Sequence, residues 1–261
     1  MTSPIRLNRD GAVATLTLAN PASRNALSLD AIEAMIAAFD AIANDAAVRI
    51  VILDAAAPVF SAGHDLKEMT AHRADGDAGR AYYEKLFARC AVLMQEIVSL
   101  PQIVIAAIEG MATAAGCQLV ASCDLAVAGA GARFATPGVN IGLFCSTPAV
   151  ALSRAVAPRQ ALDMLLTGDA IDAETAQHIG LVNRVVPTGE AALAAKSLAA
   201  QIAAKSPAAL RIGKRMFRAQ LALSLSEAYA LAGEAMVENM LDTDAVEGID
   251  AFLGKRPPVW P

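Results

Sequence analysis

Two stretches of the 261-residue chain combine small side chains with the start of a helix: FSAGHDLKEM, Phe60 to Met69, and GMATAAGCQ, Gly110 to Gln118. Each follows a strand-like apolar run. In the first, Gly63 lets the chain turn and Asp65 can cap a helix beginning near Leu66. In the second, Thr113, Ala114, Ala115 and Gly116 leave little bulk ahead of Gln118. A helix start carries unpaired backbone N–H groups and a partial positive charge, so either loop can hold an anion or the developing oxyanion of a carbonyl. Singly, each loop is also what turn geometry and close helix packing require. Two of them after successive strands point to one shared oxyanion site with two preorganised donors.

Side-chain chemistry near these loops is sparse. His64 sits on the first loop, and an imidazole titrates near neutrality. The alternative is a ring turned beside the ligand or to solvent, with only the backbone N–H in use. His72 lies in the polar segment AHRADGDAG, 71–79, which reads either as a mobile cover over the site or as an ordinary exposed loop. His178 falls on an amphipathic helix as a structural or solvent-facing residue. Arg211, Lys214, Arg215 and Arg218 form a basic stripe at helical spacing, read as a solvated face or an inter-subunit ion pair ahead of a phosphate contact.

The elements that position these residues alternate in type. VATLTL, Val13 to Leu18, reads as a strand, Ser28 caps a helix to Ala43, and VRIVILD, Val48 to Asp54, fits a strand buried on both faces. A helix from about Arg80 to Ser99 leads to strand Ile103 to Ile108; the helix of the second loop leads to strand Asp124 to Ala128. That rhythm marks β-α-β units around a core sheet. Beyond Thr147 the pattern is helical apart from LVNRVVP, Leu181 to Pro187, and the helices after about Ser206 can pack on the core or on a neighbouring subunit.

Composition narrows the partners. With 56% hydrophobic residues and a net charge of -5, the chain is globular and no polyanion binder, so no nucleic acid is expected. The apolar stretch Ile103 to Cys123 is broken by Glu109, Gly110, Gly116 and Gln118. A glutamate at mid-span costs roughly 2.5–3.5 kcal/mol, so the stretch reads as buried protein and no membrane partner is expected. Cys90, Cys117, Cys123 and Cys145 have no metal-ligand or disulfide spacing. With no apolar signal core in MTSPIRLNRDG, a reduced, metal-free, cytoplasmic protein is expected.

The motifs SRNALS (Ser23 to Ser28), FSAGHDLKEM, IAAIEGMATAAGCQLVASCDLAVA, RFATPGVNIGL and TGDAIDAETAQHIGLVNRVVP resemble, in matching order across nearly the whole chain, the crotonase superfamily, the enoyl-CoA hydratase/isomerase fold. GHDLKE, ATAAGCQLVASCD, FATPGVN, GLFCSTP and KRPPVW mark one branch within it. The resemblance implies an α/β fold: a spiral of β-β-α units over residues 1–205 with a C-terminal helical trimerisation region over 206–261. It also implies a homotrimer or dimer of trimers. The ligand is an acyl-CoA thioester, with coenzyme A as part of the substrate and no separate cofactor. Its thioester oxygen is expected between the backbone N–H groups of His64 and Ala115. Coenzyme A contacts are expected near Arg24, Ala26, Ala62, His64, Asp65, Leu66 and Ala115, with Phe252 and Lys255 serving the same or a neighbouring subunit.

Family members that hydrate enoyl-CoA hold water with two glutamates, one directly after GGGC and one directly after a proline. The matching positions here are Gln118, after AAGC, and Gly138, after FATP. An amide does not titrate usefully and glycine has no side chain, so ordinary acid–base hydration lacks both its groups. Gln118 either positions a water or acyl group or is a helix amide bonded to backbone. If only the acid–base pair is missing, a Gln118→Glu, Gly138→Glu double variant gains hydratase activity. The methylmalonyl-CoA decarboxylase branch carries a similar SAGHD, which keeps decarboxylation open beside isomerisation and thioester hydrolysis. A non-catalytic acyl-CoA-binding protein is the reading from a different class. Cys145, placed near the pocket by the resemblance, is a candidate nucleophile or a packing residue.

Overall fold

A computed structural model describes residues 3–260. The chain opens with β1 (Ile5–Asp10) and β2 (Val13–Leu18), an antiparallel pair turning at Gly11. β1 escaped the sequence reading because it is a polar edge strand, IRLNRD, in which only Ile5 is buried. Helix α1 (Leu29–Ala43) is capped by Ser28, whose Oγ accepts from the Ala31 N–H at 3.1 Å. The glutamate that its sequence lacks for a capping box comes from elsewhere: Glu68 Oε2 accepts from the Leu29 N–H at 3.2 Å.

The chain continues through β3 (Ile50–Ala55), α2 (Leu66–Ala71), α3 (Arg80–Ser99) and β4 (Ile103–Ile108). Next come β5 (Met111–Thr113), α4 (Ala115–Ser122), β6 (Leu125–Gly129), β7 (Arg133–Ala135), α5 (Ser146–Ala155) and α6 (Pro158–Thr167). β8 (Ile171–Asp172), α7 (Ala173–His178), β9 (Arg184–Val186) and α8 (Ala191–Ala203) complete the sheet region. Three helices follow: α9 (Pro207–Gln220), α10 (Leu225–Met240) and α11 (Thr243–Leu253).

Two sheets arise. The larger runs β1-β2-β3-β4-β6-β9, parallel from β2 onward; the smaller runs β5-β7-β8. β4 and β6 are each followed at once by a short strand of the small sheet, so each β-β-α turn contributes to both layers. Bridges Ser61↔Ala112 and Leu27↔His64 carry the second layer back toward the first turns of the spiral. Periodicity alone missed this layer, because strands of two or three residues show none.

Alternation along the central strands explains their unbroken apolar runs. Val51, Leu53, Val104 and Ala106 enter the main core with α1 and α3; Ile50, Ile52, Ile105, Ala107 and Val127 meet Ala195, Leu198 and Ala199 of α8. Each large side chain so buried contributes about 1.5–3 kcal/mol. Glu109 caps α8 in place of a residue of the helix itself, its Oε1 accepting from Gly189 N at 2.9 Å and Ala191 N at 3.0 Å.

The C-terminal helices are tied to the core through Asp124. Its carboxylate accepts from Lys214 Nζ at 2.6 Å and Arg218 Nη2 at 3.0 Å, while Lys214 also donates to the Gln102 carbonyl at 2.8 Å. Arg215 pairs with Glu238 of α10. Three of the four basic-stripe residues are thus engaged within the chain, correcting the reading of a solvated or inter-subunit face. α10 and α11 present Leu225, Tyr229, Met240 and Phe252 to the surface. No helix among the described residues is long and apolar enough to cross a membrane.

Candidate active site

The SRNALS turn, the first small-residue loop and the second one are stitched together by buried polar groups. Asn25, 2% exposed, donates from Nδ2 to the carbonyls of Ala56 at 2.7 Å and Val59 at 2.8 Å. Ser61 Oγ donates to the Asn25 carbonyl at 2.9 Å, and the Ala62 N–H to the Arg24 carbonyl at 3.0 Å. On its other edge Ser61 exchanges backbone bonds with Met111 and Thr113, at 3.1 and 2.9 Å. Loop one is thereby fixed against β5.

The glycines serve this contact. A β-carbon on Gly63, whose φ is +82°, would meet Ala114 Cβ and the Thr113 carbonyl at 2.9 Å and Ala115 N at 3.2 Å. One on Gly116 would meet the Ser61 carbonyl at 2.6 Å and its Cβ at 2.8 Å. Their absent side chains let loop press on loop, so close packing decides Gly63 and Gly116. Ala114 takes φ 51° and ψ -117°, a conformation that strains a residue with a β-carbon.

Donor accounting leaves His64 N and Ala115 N, one on each loop, among the N–H groups without an acceptor. On loop one, the N–H of Ala62 bonds Arg24, that of Gly63 bonds Ser61 Oγ at 3.2 Å, and that of Asp65 bonds Leu27 at 3.3 Å; His64 N has no acceptor. On loop two, Ala114 N bonds the Ala135 carbonyl at 2.9 Å and Gln118 N begins the helix ladder at 3.0 Å. Ala115, first residue of α4, has no intrahelical partner for its N–H. Asp65 caps α2 as its type and position suggest, accepting from Lys67 N at 2.9 Å and Glu68 N at 3.2 Å.

His64 and Ala115 line one cavity of about 620 Å³ together with Arg24, Ala62, Leu66 and Gly138. Six sequence candidates therefore share a space. Its remaining walls include Met69, Phe87, Thr113, Leu143, Phe144 and Cys145. Phe87 and Met69 carried no sequence signal, since only the packing of α2 and α3 brings them over the loops. Gln118 is not on this wall: it is 4% exposed inside α4, and its Oε1 has no hydrogen-bond partner. The reading of the amide as a group bonded to backbone does not describe that oxygen. Ala26, Asp65, Phe252 and Lys255 also stand outside the cavity, with Phe252 81% exposed on α11.

The ionisable side chains among the lining residues are Arg24, His64 and Cys145, none of them a carboxylate. Burial holds the His64 imidazole down at about 4, so it is neutral at physiological pH. Its Nε2 is enclosed without a partner, and its ring meets Phe87 edge-on at 5.4 Å. Burial pushes the Cys145 thiol up. Gly138 is buried, and the direction of its missing side chain is occupied: a β-carbon there would stand 2.4 Å from the Leu143 carbonyl and 2.8 Å from Cys145 Sγ. The segment at 71–79 is held in place: His72 stacks on Tyr82 at 3.8 Å and bonds Asp75, while Tyr83 donates to the Met69 carbonyl at 2.9 Å. All four cysteines are buried and unbridged.

The arrangement suits an oxygen that gains negative charge between two fixed N–H donors, beside an apolar chamber. A profile of the Enoyl-CoA hydratase/isomerase family matches residues 8–261. Enoyl-CoA hydratase domain-containing protein 3 of Rattus norvegicus is 47% identical over 252 residues, covering 97% of this chain and 82% of that protein. The Homo sapiens protein of the same name is 47% identical over 250 residues, covering 95% and 80%. The crystal structure of an enoyl-CoA hydratase from Mycobacterium smegmatis superposes with a TM-score of 0.94 at 50% identity, covering 98% of each chain. The rat and human relatives are both named mitochondrial, which overturns the cytoplasmic expectation. Absence of an apolar signal core and of disulfide spacing points away from an oxidising compartment but does not say which reducing one holds the chain.

Proposed function

This chain belongs to the enoyl-CoA hydratase/isomerase family, the crotonase superfamily, and on that premise we propose that it binds an acyl-CoA thioester and stabilises negative charge on the thioester oxygen without a carboxylate pair. The observation that carries this reading is the pair of backbone N–H groups, His64 and Ala115, left without acceptors on one cavity wall. The thioester oxygen lies between them, the acyl group enters the chamber bounded by Phe87, Leu143 and Phe144, and Arg24 at the exposed turn meets the coenzyme. Coenzyme A is part of the substrate, and the reading calls for no further cofactor or metal.

An oxyanion or enolate held this way serves lyase or isomerase chemistry. Hydration of the ordinary kind has no support in the chamber, because Gln118 lies outside it and Gly138 offers no room for a carboxylate. Loss of a C2 substituent as carbon dioxide asks least of the side chains, since the enolate is then generated without a base. The apolar surface of α10 and α11 supports assembly of residues 206–261 into a homotrimer or a dimer of trimers.

Calorimetric titration with crotonyl-CoA, alongside the enoyl absorbance, tests the reading. Saturable binding with little loss of absorbance is expected. No binding contradicts the thioester site; rapid loss of absorbance contradicts the exclusion of hydration.

A further inference from the structure

Of the ionisable side chains that line the cavity, the Cys145 thiol carries a proton to give at neutral pH and takes no part in oxygen stabilisation or coenzyme binding. This residue is the N-cap of α5, 8% exposed, and lines the chamber beside Gly138. Its Sγ stands 2.8 Å from the point a β-carbon of residue 138 would occupy. The thiol thus fills the space into which any side chain at 138 would project. No carboxylate, lysine or tyrosine competes with it among the lining residues.

We infer that Cys145 is the proton donor to C2 of a thioester enolate held at the His64 and Ala115 N–H groups, an inference that rests on the thioester reading above. In this step the S–H bond breaks and a C2–H bond forms. The enolate electron pair makes the new bond, the thioester carbonyl re-forms, and the charge passes to sulfur. Water entering the chamber then reprotonates the thiolate. Run backward, the thiolate removes a C2 proton while the two N–H groups receive the enolate oxygen. Nothing is oxidised or reduced.

Two local features fit this role. Burial keeps the resting thiol protonated, as a proton donor must be and a resting nucleophile must not. The Gly138 backbone beside the sulfur lowers the thiol's pKa against the pull of burial and so favours the thiolate left after transfer.

The test is exchange of the C2 protons of butyryl-CoA in deuterium oxide, followed by mass spectrometry, with binding measured by calorimetry on the same samples. Wild type is expected to exchange, faster as pH rises and the thiolate fraction grows. Cys145→Ala is expected to lose about 10²–10⁴-fold in exchange with thioester affinity retained. Cys145→Ser keeps the shape of the site and is expected to retain binding, with exchange well below wild type. Equal exchange by wild type and Cys145→Ala, both binding the thioester, overturns the inference and leaves the binding reading intact. Wild-type binding without exchange overturns it as well. Failure of wild type to bind butyryl-CoA overturns the thioester reading beneath it.

Discussion

Gly63 backs onto Ala114 so closely that a β-carbon on the glycine would lie 2.9 Å from that of the alanine and 3.2 Å from the Ala115 nitrogen. The separation of the two free N–H groups is therefore set by a glycine that neither group belongs to.

Gly63→Ala places a β-carbon in that gap at a φ of +82°. The left-handed backbone costs about 1–2 kcal/mol and the overpacking about 1–3 kcal/mol. Denaturant unfolding is expected to show a loss within the sum of those ranges, and calorimetry a larger loss of affinity for butyryl-CoA than for free coenzyme A. Unchanged stability and thioester affinity contradict the loop contact.

A Gln118→Glu, Gly138→Glu double variant is expected to gain no crotonyl-CoA hydration, against the simplest expectation from the sequence. The residue-138 side chain would run into the Leu143 carbonyl and Cys145 Sγ, and residue 118 does not face the chamber. Even Gly138→Ala should lose about 1–3 kcal/mol by overpacking, read in thermal or denaturant unfolding. Measurable hydration by the double variant refutes this geometry.

His64 makes stability depend on pH. Its imidazole falls from an ordinary value near 6.5 to about 4 in the fold, so the unfolded chain binds the proton more readily. Stability is full above about pH 6.5 and declines as pH falls toward 4, by about 3 kcal/mol at most. Thermal unfolding across that range should show wild type losing stability relative to His64→Gln as pH falls. Parallel profiles exclude this assignment.

Asp124 anchors the C-terminal helices. Lys214, its main partner, has a side chain only 6% exposed, so Asp124→Ala leaves a buried cation unpaired. A loss of about 3–5 kcal/mol is expected in denaturant unfolding, partly recovered by Lys214→Met in the same chain. A loss below about 1 kcal/mol is the behaviour of an exposed pair and contradicts this role.

The central strands were legible because burial on both faces leaves an unbroken β-branched run, as in Ile50 to Leu53. The helix starts at Ser28 and Asp65 were legible because a cap needs a side-chain oxygen at one position. The motifs carried the two-layer spiral; the residues alone carried only the larger sheet. Phe87 and Met69 stayed hidden because their place on the chamber wall depends on how α2 and α3 pack. The burial of Gln118 away from the chamber depends on the rotation of α4, which a helix short enough to be buried nearly all round does not betray in its pattern. Asp124 and the basic stripe lie some ninety residues apart, and their pairing is a fact of tertiary structure.

The most direct measurement is the infrared spectrum of butyryl-CoA carrying ¹³C at the thioester carbonyl, free and bound to the protein. Two N–H donors at His64 and Ala115 polarise that bond, so the carbonyl band is expected at lower frequency in the complex, with the shift reduced in Gly63→Ala. A bound thioester whose carbonyl band stays at its solution frequency contradicts the account.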